Sequence, residues 1–243
     1  MINYVEALKR PFMDTKKLFI GSVLGMIPIV NLTVIGYTMA STGLTEEKVK
    51  KDNLPEWRDY VDLFTKGLVA AIIGIILFLP AIAFLLGTVG TVLMSPALSI
   101  ILGGLPLETT DAILEGAITD LQMEDWITQN WTQFIPLIMN ATPFLIIGGL
   151  LAGLALYIMP AAILGWLSED SFSSAFSWKS LKMTTTLDYL VNWLIAGYLA
   201  GLLGSLVGWV PWIGAGIGLY VTGVFSYTVF AQIRENLINV DSQ

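Results

Sequence analysis

The chain has 243 residues, 55% hydrophobic and only 13% charged, against roughly 25% charged in an ordinary soluble domain. With no His and no Cys, it cannot build a Ser-His-Asp or Cys-His nucleophilic centre, a His/Cys zinc site, a thiolate iron-sulfur site or a disulfide. A net charge of -7 without a concentrated basic stripe gives no electrostatic footprint for nucleic acid.

Every Lys, Arg, Asp and Glu lies outside four blocks, 18–45, 67–107, 126–168 and 189–233. About 20 apolar residues in a helix cross the hydrocarbon layer of a bilayer. The blocks therefore predict an all-α fold: a polytopic integral membrane helix bundle, one membrane domain over residues 1–243.

In chain order, residues 2–19 set Val5, Leu8, Phe12 and Phe19 on one face and Lys9, Arg10, Asp14, Lys16 and Lys17 on the other. That pattern suits an interfacial helix lying flat. Pro28 inside the following apolar run, and the poor cleavage site at Thr38-Met39-Ala40, argue against a removed leader. Block 18–45 has basic residues on both flanks, so the positive-inside rule predicts a broken, re-entrant hairpin turning near Gly25-Met26-Ile27-Pro28; a single Pro-kinked span is the alternative.

Residues 46–66 read as a cytoplasmic amphipathic helix capped by Asn53, with Pro55 and Glu56 in its first turn and Trp57, Val61, Phe64 and Leu68 at helical spacing. Its apolar face is either an interfacial anchor or a docking surface. Residues 67–104 are too long for one perpendicular span, which predicts a crossing over 67–87 and a short re-entrant or tilted element over 88–104. Segment 105–133 carries six acidic residues and no Lys or Arg, placing it outside as an acidic amphipathic helix starting near Thr110. Residues 134–166 cross back despite Pro136, Pro143 and Pro160, and 168–186 form a second cytoplasmic interfacial helix. A two-span hairpin over 187–233, turning at Gly208-Trp209-Val210-Pro211-Trp212-Ile213-Gly214, closes the chain and faintly repeats the Gly25–Asn31 pattern. Both termini are then cytoplasmic and the protein sits in the cell membrane.

No charge lies deep in any block, which disfavours a carboxylate relay. The polar candidates are neutral: Asn31, Thr33, Asn140, Thr142, Asn192 and Gln232. Asn140-Ala141-Thr142-Pro143 is the most suggestive, because a Pro-broken helix exposes carbonyls beside two polar side chains and could line an aqueous path. The plainer reading is interhelical hydrogen bonding. Gly197, Gly201, Gly204, Gly208, Gly214 and Gly218 repeat the small-xxx-small spacing that lets helices approach in lipid, either within the chain or between copies. No catalytic residue, metal site or cofactor is expected.

Leu54-Pro55-Glu56-Trp57-Arg58-Asp59-Tyr60-Val61-Asp62-Leu63-Phe64-Thr65-Lys66-Gly67-Leu68 resembles the signature segment of a mostly archaeal multi-pass membrane family, domain of unknown function 4013. The Gly21–Tyr37 stretch, Ser171–Phe176 and the closing Pro-Trp-Ile-Gly hairpin are similar to that family too. The resemblance implies location and fold and assigns no catalytic or binding residue; segment 105–133 is longer than the family would lead one to expect.

Together these features point to a non-enzymatic membrane protein. It is either a small-solute or ion pathway or a helper subunit of a membrane complex, with the bilayer, further copies of itself or a complex as partners. A lipid-sensing or membrane-organising module is a second reading, and an intramembrane enzyme a remote third.

Overall fold

The computed structural model describes residues 2–44, 53–95, 120–209 and 213–241. The described residues are helices and turns, and four helices, Tyr60–Leu93, Ile135–Glu169, Leu187–Gly208 and Ile213–Leu237, are long and apolar enough to cross a membrane. The chain divides into two compact units, one of Met1–Leu77 with Ala155–Gln243 and the other of Phe78–Leu154.

The first unit opens with α1 (Tyr4–Lys9), a 3-10 turn over Arg10–Phe12, α2 (Thr15–Gly25) and α3 (Asn31–Ala40). The single helix expected over 2–19 is thus interrupted, for two local reasons. Pro11 supplies no backbone donor, and the Asp14 side chain accepts from the Lys16 and Lys17 amides at 2.9 and 3.0 Å, starting a new helix. Val5, Phe12 and Phe19 stay exposed, as an interfacial surface requires, but Arg10, assigned to the polar face, is buried.

At 11 and 10 residues, α2 and α3 are about 15–17 Å long at 1.5 Å per residue. Neither reaches across about 30 Å of hydrocarbon. They meet at a turn over 26–30, whose exposed tip is apolar at Ile27 and Ile29. Ile29 adopts φ 71°, a left-handed conformation that a β-branched residue rarely takes.

Residues 53–59 form no helix, contrary to the expected Asn53 cap; Asn53 is exposed and α4 begins only at Tyr60 (Tyr60–Leu93). The residue before a proline is biased to extended backbone, and Asp59, at φ 49°, turns the chain into the helix. Helix α4 then runs 34 residues, about 51 Å, through Pro80 and past the break expected at 87–88. The remainder of the expected 88–104 element beyond Ser95, and the acidic helix from Thr110 up to residue 119, lie outside the described residues.

Helix α5 (Asp120–Glu169) is one 50-residue element, about 75 Å long, where an outside segment to 133 and a separate span were expected. Pro136, Pro143 and Pro160 do not end it. Each proline forfeits one donor, whereas unravelling in lipid would strand several backbone groups at once. After it come a 3-10 turn (Phe172–Phe176), α6 (Trp178–Leu181) and a second 3-10 turn (Lys182–Thr185) in place of one interfacial helix. Serines explain the fragmentation: Ser174 Oγ donates to the Gly165 carbonyl at 3.1 Å, and Ser177 Oγ accepts from the Ser180 amide at 3.3 Å.

Helices α7 (Leu187–Gly208) and α8 (Ile213–Asp241) pack on one another. Thr186 caps α7 by accepting from the Tyr189 amide at 3.2 Å. Helix α8 is the hub of the unit: half of its most apolar window is buried, against 11% for that of α7. It packs on α1, α2, α3 and α7. Phe225, Val229, Phe230 and Ile233 of α8 join Ile163 and Leu164 of α5 and Ile73 of α4 in one cluster, while Tyr220, Val221 and Val224 join Val34 and Tyr37 of α3 in another. Because lipid tails are as apolar as these side chains, close packing rather than escape from water holds such a core.

In the second unit, residues 78–93 of α4 face α5 through Phe84 and Phe144, ring centroids 6.3 Å apart. Gly87 lies under the Phe144 ring and Gly148 under Leu85, so side chains of each helix fill the low points of the other.

Candidate functional site

Segment 53–59 has no secondary structure to satisfy its carbonyls, yet Leu54 and Pro55 are buried. Buried carbonyls need partners, and three side chains from the N-terminal elements supply them in order. Arg10 Nη2 reaches the Asn53 carbonyl at 3.5 Å, Lys17 Nζ donates to the Leu54 carbonyl at 2.9 Å, and Tyr37 Oη donates to the Pro55 carbonyl at 2.8 Å. Arg10 Nη2 also donates to the Ser41 carbonyl at 2.7 Å, placing a cation where the end of α3 leaves acceptors unpaired. Trp57 Nε1 donates to the Lys17 carbonyl at 3.2 Å, and Lys17 Nζ lies 2.8 Å from Glu56 Oε1. That ammonium holds the Glu56 carboxyl below its usual range, with Arg58 adding a smaller push in the same direction.

Aromatic rings seal the clamp. Tyr37 stacks on Trp57 with centroids 3.9 Å apart and planes 9° apart; Trp57 stacks on Tyr60 at 6.4 Å, and Tyr37 tilts against Tyr220 at 5.7 Å. Beneath them α3 and α4 meet backbone to backbone. A Cβ on Gly36 would stand 1.8 Å from the Leu63 carbonyl oxygen, and one on Gly67 would stand 1.8 Å from that of Leu32. A second such contact joins Gly25 of α2 to Gly216 of α8, where a Cβ on Gly216 would stand 2.2 Å from the Ser22 carbonyl oxygen.

The clamped segment walls a cleft of about 420 Å³, lined by Lys17, Ala40, Leu54, Pro55, Leu63 and, at its charged part, Asn53, Glu56, Arg58, Asp59 and Asp62. Asp62 pairs with Lys66 at 2.7 Å, one turn along α4. With Lys17 and Glu56 also paired, the lining keeps one cation, Arg58, and one anion, Asp59, outside any ion pair among the described residues.

The residues singled out from sequence lie elsewhere. Asn31 opens α3 and Thr33 is buried within it. Asn192 is buried in α7, where it accepts from the Tyr4 hydroxyl and donates to the Asp188 carbonyl at 2.7 Å and to Asp188 Oδ1 at 3.0 Å. Asn140 and Thr142 belong to the second unit; Asn140 is exposed, and Thr142 Oγ1 donates back to the Ile138 carbonyl at 2.6 Å. Of the glycine series, Gly214 presses on the Val207 carbonyl, Gly204 and Gly218 make ordinary contacts, and Gly197, Gly201 and Gly208 have open space where a Cβ would go. Sequence reading passed over Arg10, Lys17, Tyr37, Gly36, Gly67 and Gly216. Pro55, a helix breaker inside an otherwise amphipathic pattern, was the available hint that 53–59 would need outside partners.

Comparison with known proteins gives one finding of similarity. The profile of a family described as protein of unknown function (DUF4013) matches residues 20–213. Searches of curated proteins and of solved structures returned no match.

Proposed function

The chain belongs to the family of domain of unknown function 4013, and from that membership, its four helices long and apolar enough to cross a membrane and the clamp, we propose that it is a non-enzymatic helper subunit of a complex in the cell membrane. The observation that carries this reading is where the polar side chains of the first unit are spent. Arg10, Lys17, Tyr37 and Trp57 all hold segment 53–59 in one conformation, so that α4 enters the bilayer from a fixed, charged platform. A preformed platform suits docking, because ordering costs are met before a partner arrives. The positive-inside rule puts this platform, with Lys179, Lys182 and both termini, in the cytoplasm, and the apolar tip of the α2–α3 turn enters the membrane without crossing it.

Purification of the tagged full chain from native membranes into lipid nanodiscs tests the reading: a partner in constant stoichiometry is the expected result, and recovery of the chain alone at every detergent strength would overturn it. A pathway is the second reading, supported by exposed Asn140 three residues before Pro143, whose missing N–H leaves the Met139 carbonyl without its helical donor. Solute or ion flux in proteoliposomes that Asn140→Ala and Asn31→Ala abolish would favour it over the helper reading.

A further inference from the structure

The cleft beside segment 53–59 has a charge arrangement that the clamp does not use. Of its lining, Lys17 pairs with Glu56 at 2.8 Å and with Asp14 at 3.8 Å, and Asp62 pairs with Lys66 at 2.7 Å. Among the described residues, what remains facing the cavity is the exposed Arg58 guanidinium, the adjoining exposed Asp59 carboxylate and the Asn53 amide. The floor is apolar: Ala40, Leu54 and Leu63 are buried. A site offering one cation and one anion over an apolar floor fits a ligand that carries both charges on a short apolar body.

Depth selects among such ligands. The charge-free block begins at Gly67, so along α4 Leu63 lies about 6 Å and Tyr60 about 10 Å before the hydrocarbon. The headgroup layer on one side of a bilayer is about 5–8 Å thick. The cleft therefore runs from headgroup level at Leu63 to just beyond that layer at Tyr60, with Arg58 and Asp59 at its outer end, where the outermost charged atoms of a headgroup stand. Beside it Tyr60 is 49% and Val61 80% exposed, and an exposed Tyr suits the polar margin of a bilayer.

We propose that this cleft seats the headgroup of a zwitterionic, amine-bearing phospholipid. Arg58 donates to the phosphate, where the planar fork of a guanidinium matches the oxygens, and Asp59 accepts from the ammonium. The site does not depend on the helper reading; a lipid can be held there whether or not a partner protein docks.

The full chain in nanodiscs of equal phosphatidylethanolamine and phosphatidylglycerol, stripped stepwise with detergent and read by native mass spectrometry, provides the test. Phosphatidylethanolamine is expected to be retained about tenfold over phosphatidylglycerol, the discrimination of one charge-assisted hydrogen bond. Asp59→Asn should erase that preference while leaving the phosphate grip, and Asn tolerates the φ of 49° at this position, so the fold survives. Arg58→Ala should lower retention of both lipids. Equal retention by the parent, preference for phosphatidylglycerol, or an unchanged preference in Asp59→Asn would overturn the proposal. Displacement of the lipid by free glycerophosphoethanolamine at matching concentration would also overturn it, in favour of a soluble zwitterion.

Discussion

Arg10 is 4% exposed, a position a cation holds only when its donors are used. Its contacts explain the burial: the Ser41 carbonyl at 2.7 Å and the Asn53 carbonyl at 3.5 Å tie the end of α3 to the start of the clamp. Arg10→Ala leaves both carbonyls short of a donor and should cost about 2–3 kcal/mol. Thermal unfolding in nanodiscs reads this directly, and Arg10→Lys, with a single point charge in place of the fork, should recover only part of the loss. A variant as stable as the parent would refute the clamp. Lys17 and Glu56 give the clamp a pH dependence. Lys17 lowers the folded-state pKa of Glu56, so the pair's contribution is complete above the ordinary carboxylate pKa and disappears as pH falls through the lowered one. The parent's unfolding temperature should drop more steeply than that of Glu56→Gln across that acidic interval; parallel curves would show that the pair contributes nothing. Glu56 is largely exposed, and solvent screening keeps the effect small. These roles were not legible in the sequence. Helical periodicity put Arg10 on a polar face, and only the return of residues 53–55 over α1–α3 turns that face inward.

At the scale of elements, glycine decides which helices can touch. Gly36 and Gly67 face each other across the α3–α4 crossing, and Cβ atoms there would overlap carbonyl oxygens at 1.8 Å. Backbone cannot yield as a flexible side-chain end can, so Gly36→Ala or Gly67→Ala should each cost about 2–3 kcal/mol, measured by the same unfolding assay. Gly197→Ala and Gly201→Ala meet open space and should stay within about 0.5 kcal/mol of the parent. A marked loss at either would place a second chain against α7. The contrast teaches why the spacing rule was only partly informative. The pattern marks helices that could approach closely, but which glycines face a neighbour depends on rotation about each axis, and Gly36 and Gly67 lie outside the glycine series, each with Ala rather than Gly four residues on. Proline misled in the other direction. Pro136, Pro143 and Pro160 invited breaks that α5 does not make, whereas Pro11 lies in the 3-10 turn that follows α1 and Pro55 in a segment without helix, each buried against protein.

For the whole molecule, four helices are long and apolar enough to cross a membrane, and one crossing by each would return the chain to the side on which α4 begins. The native chain has no Cys, so single-cysteine labelling is free of background. Cysteine placed at Arg58 and at Lys179 should react with a membrane-impermeant reagent from the same side, the cytoplasmic one, and cysteine at Glu115 from the opposite side. Labelling of Arg58→Cys and Lys179→Cys from opposite faces would overturn the arrangement and with it the headgroup-level placement of a cytoplasmic cleft.

The sequence by itself determined the solvent of this protein, its helical class and the four stretches able to cross a bilayer. Those are properties of composition and length: unpaired backbone groups and charges are too costly in hydrocarbon, and apolar runs of this length satisfy their backbone as helices. Tertiary structure alone decided that α8 lies at the centre of the first unit, that Arg10 and Lys17 point inward, and that segment 53–59 is held open as an irregular wall beside a cleft. Those outcomes depend on contacts between residues some 20 to 200 positions apart, Gly36 with Gly67 and Gly25 with Gly216 among them, and no local pattern encodes which distant partner will satisfy a given carbonyl or fill a given groove.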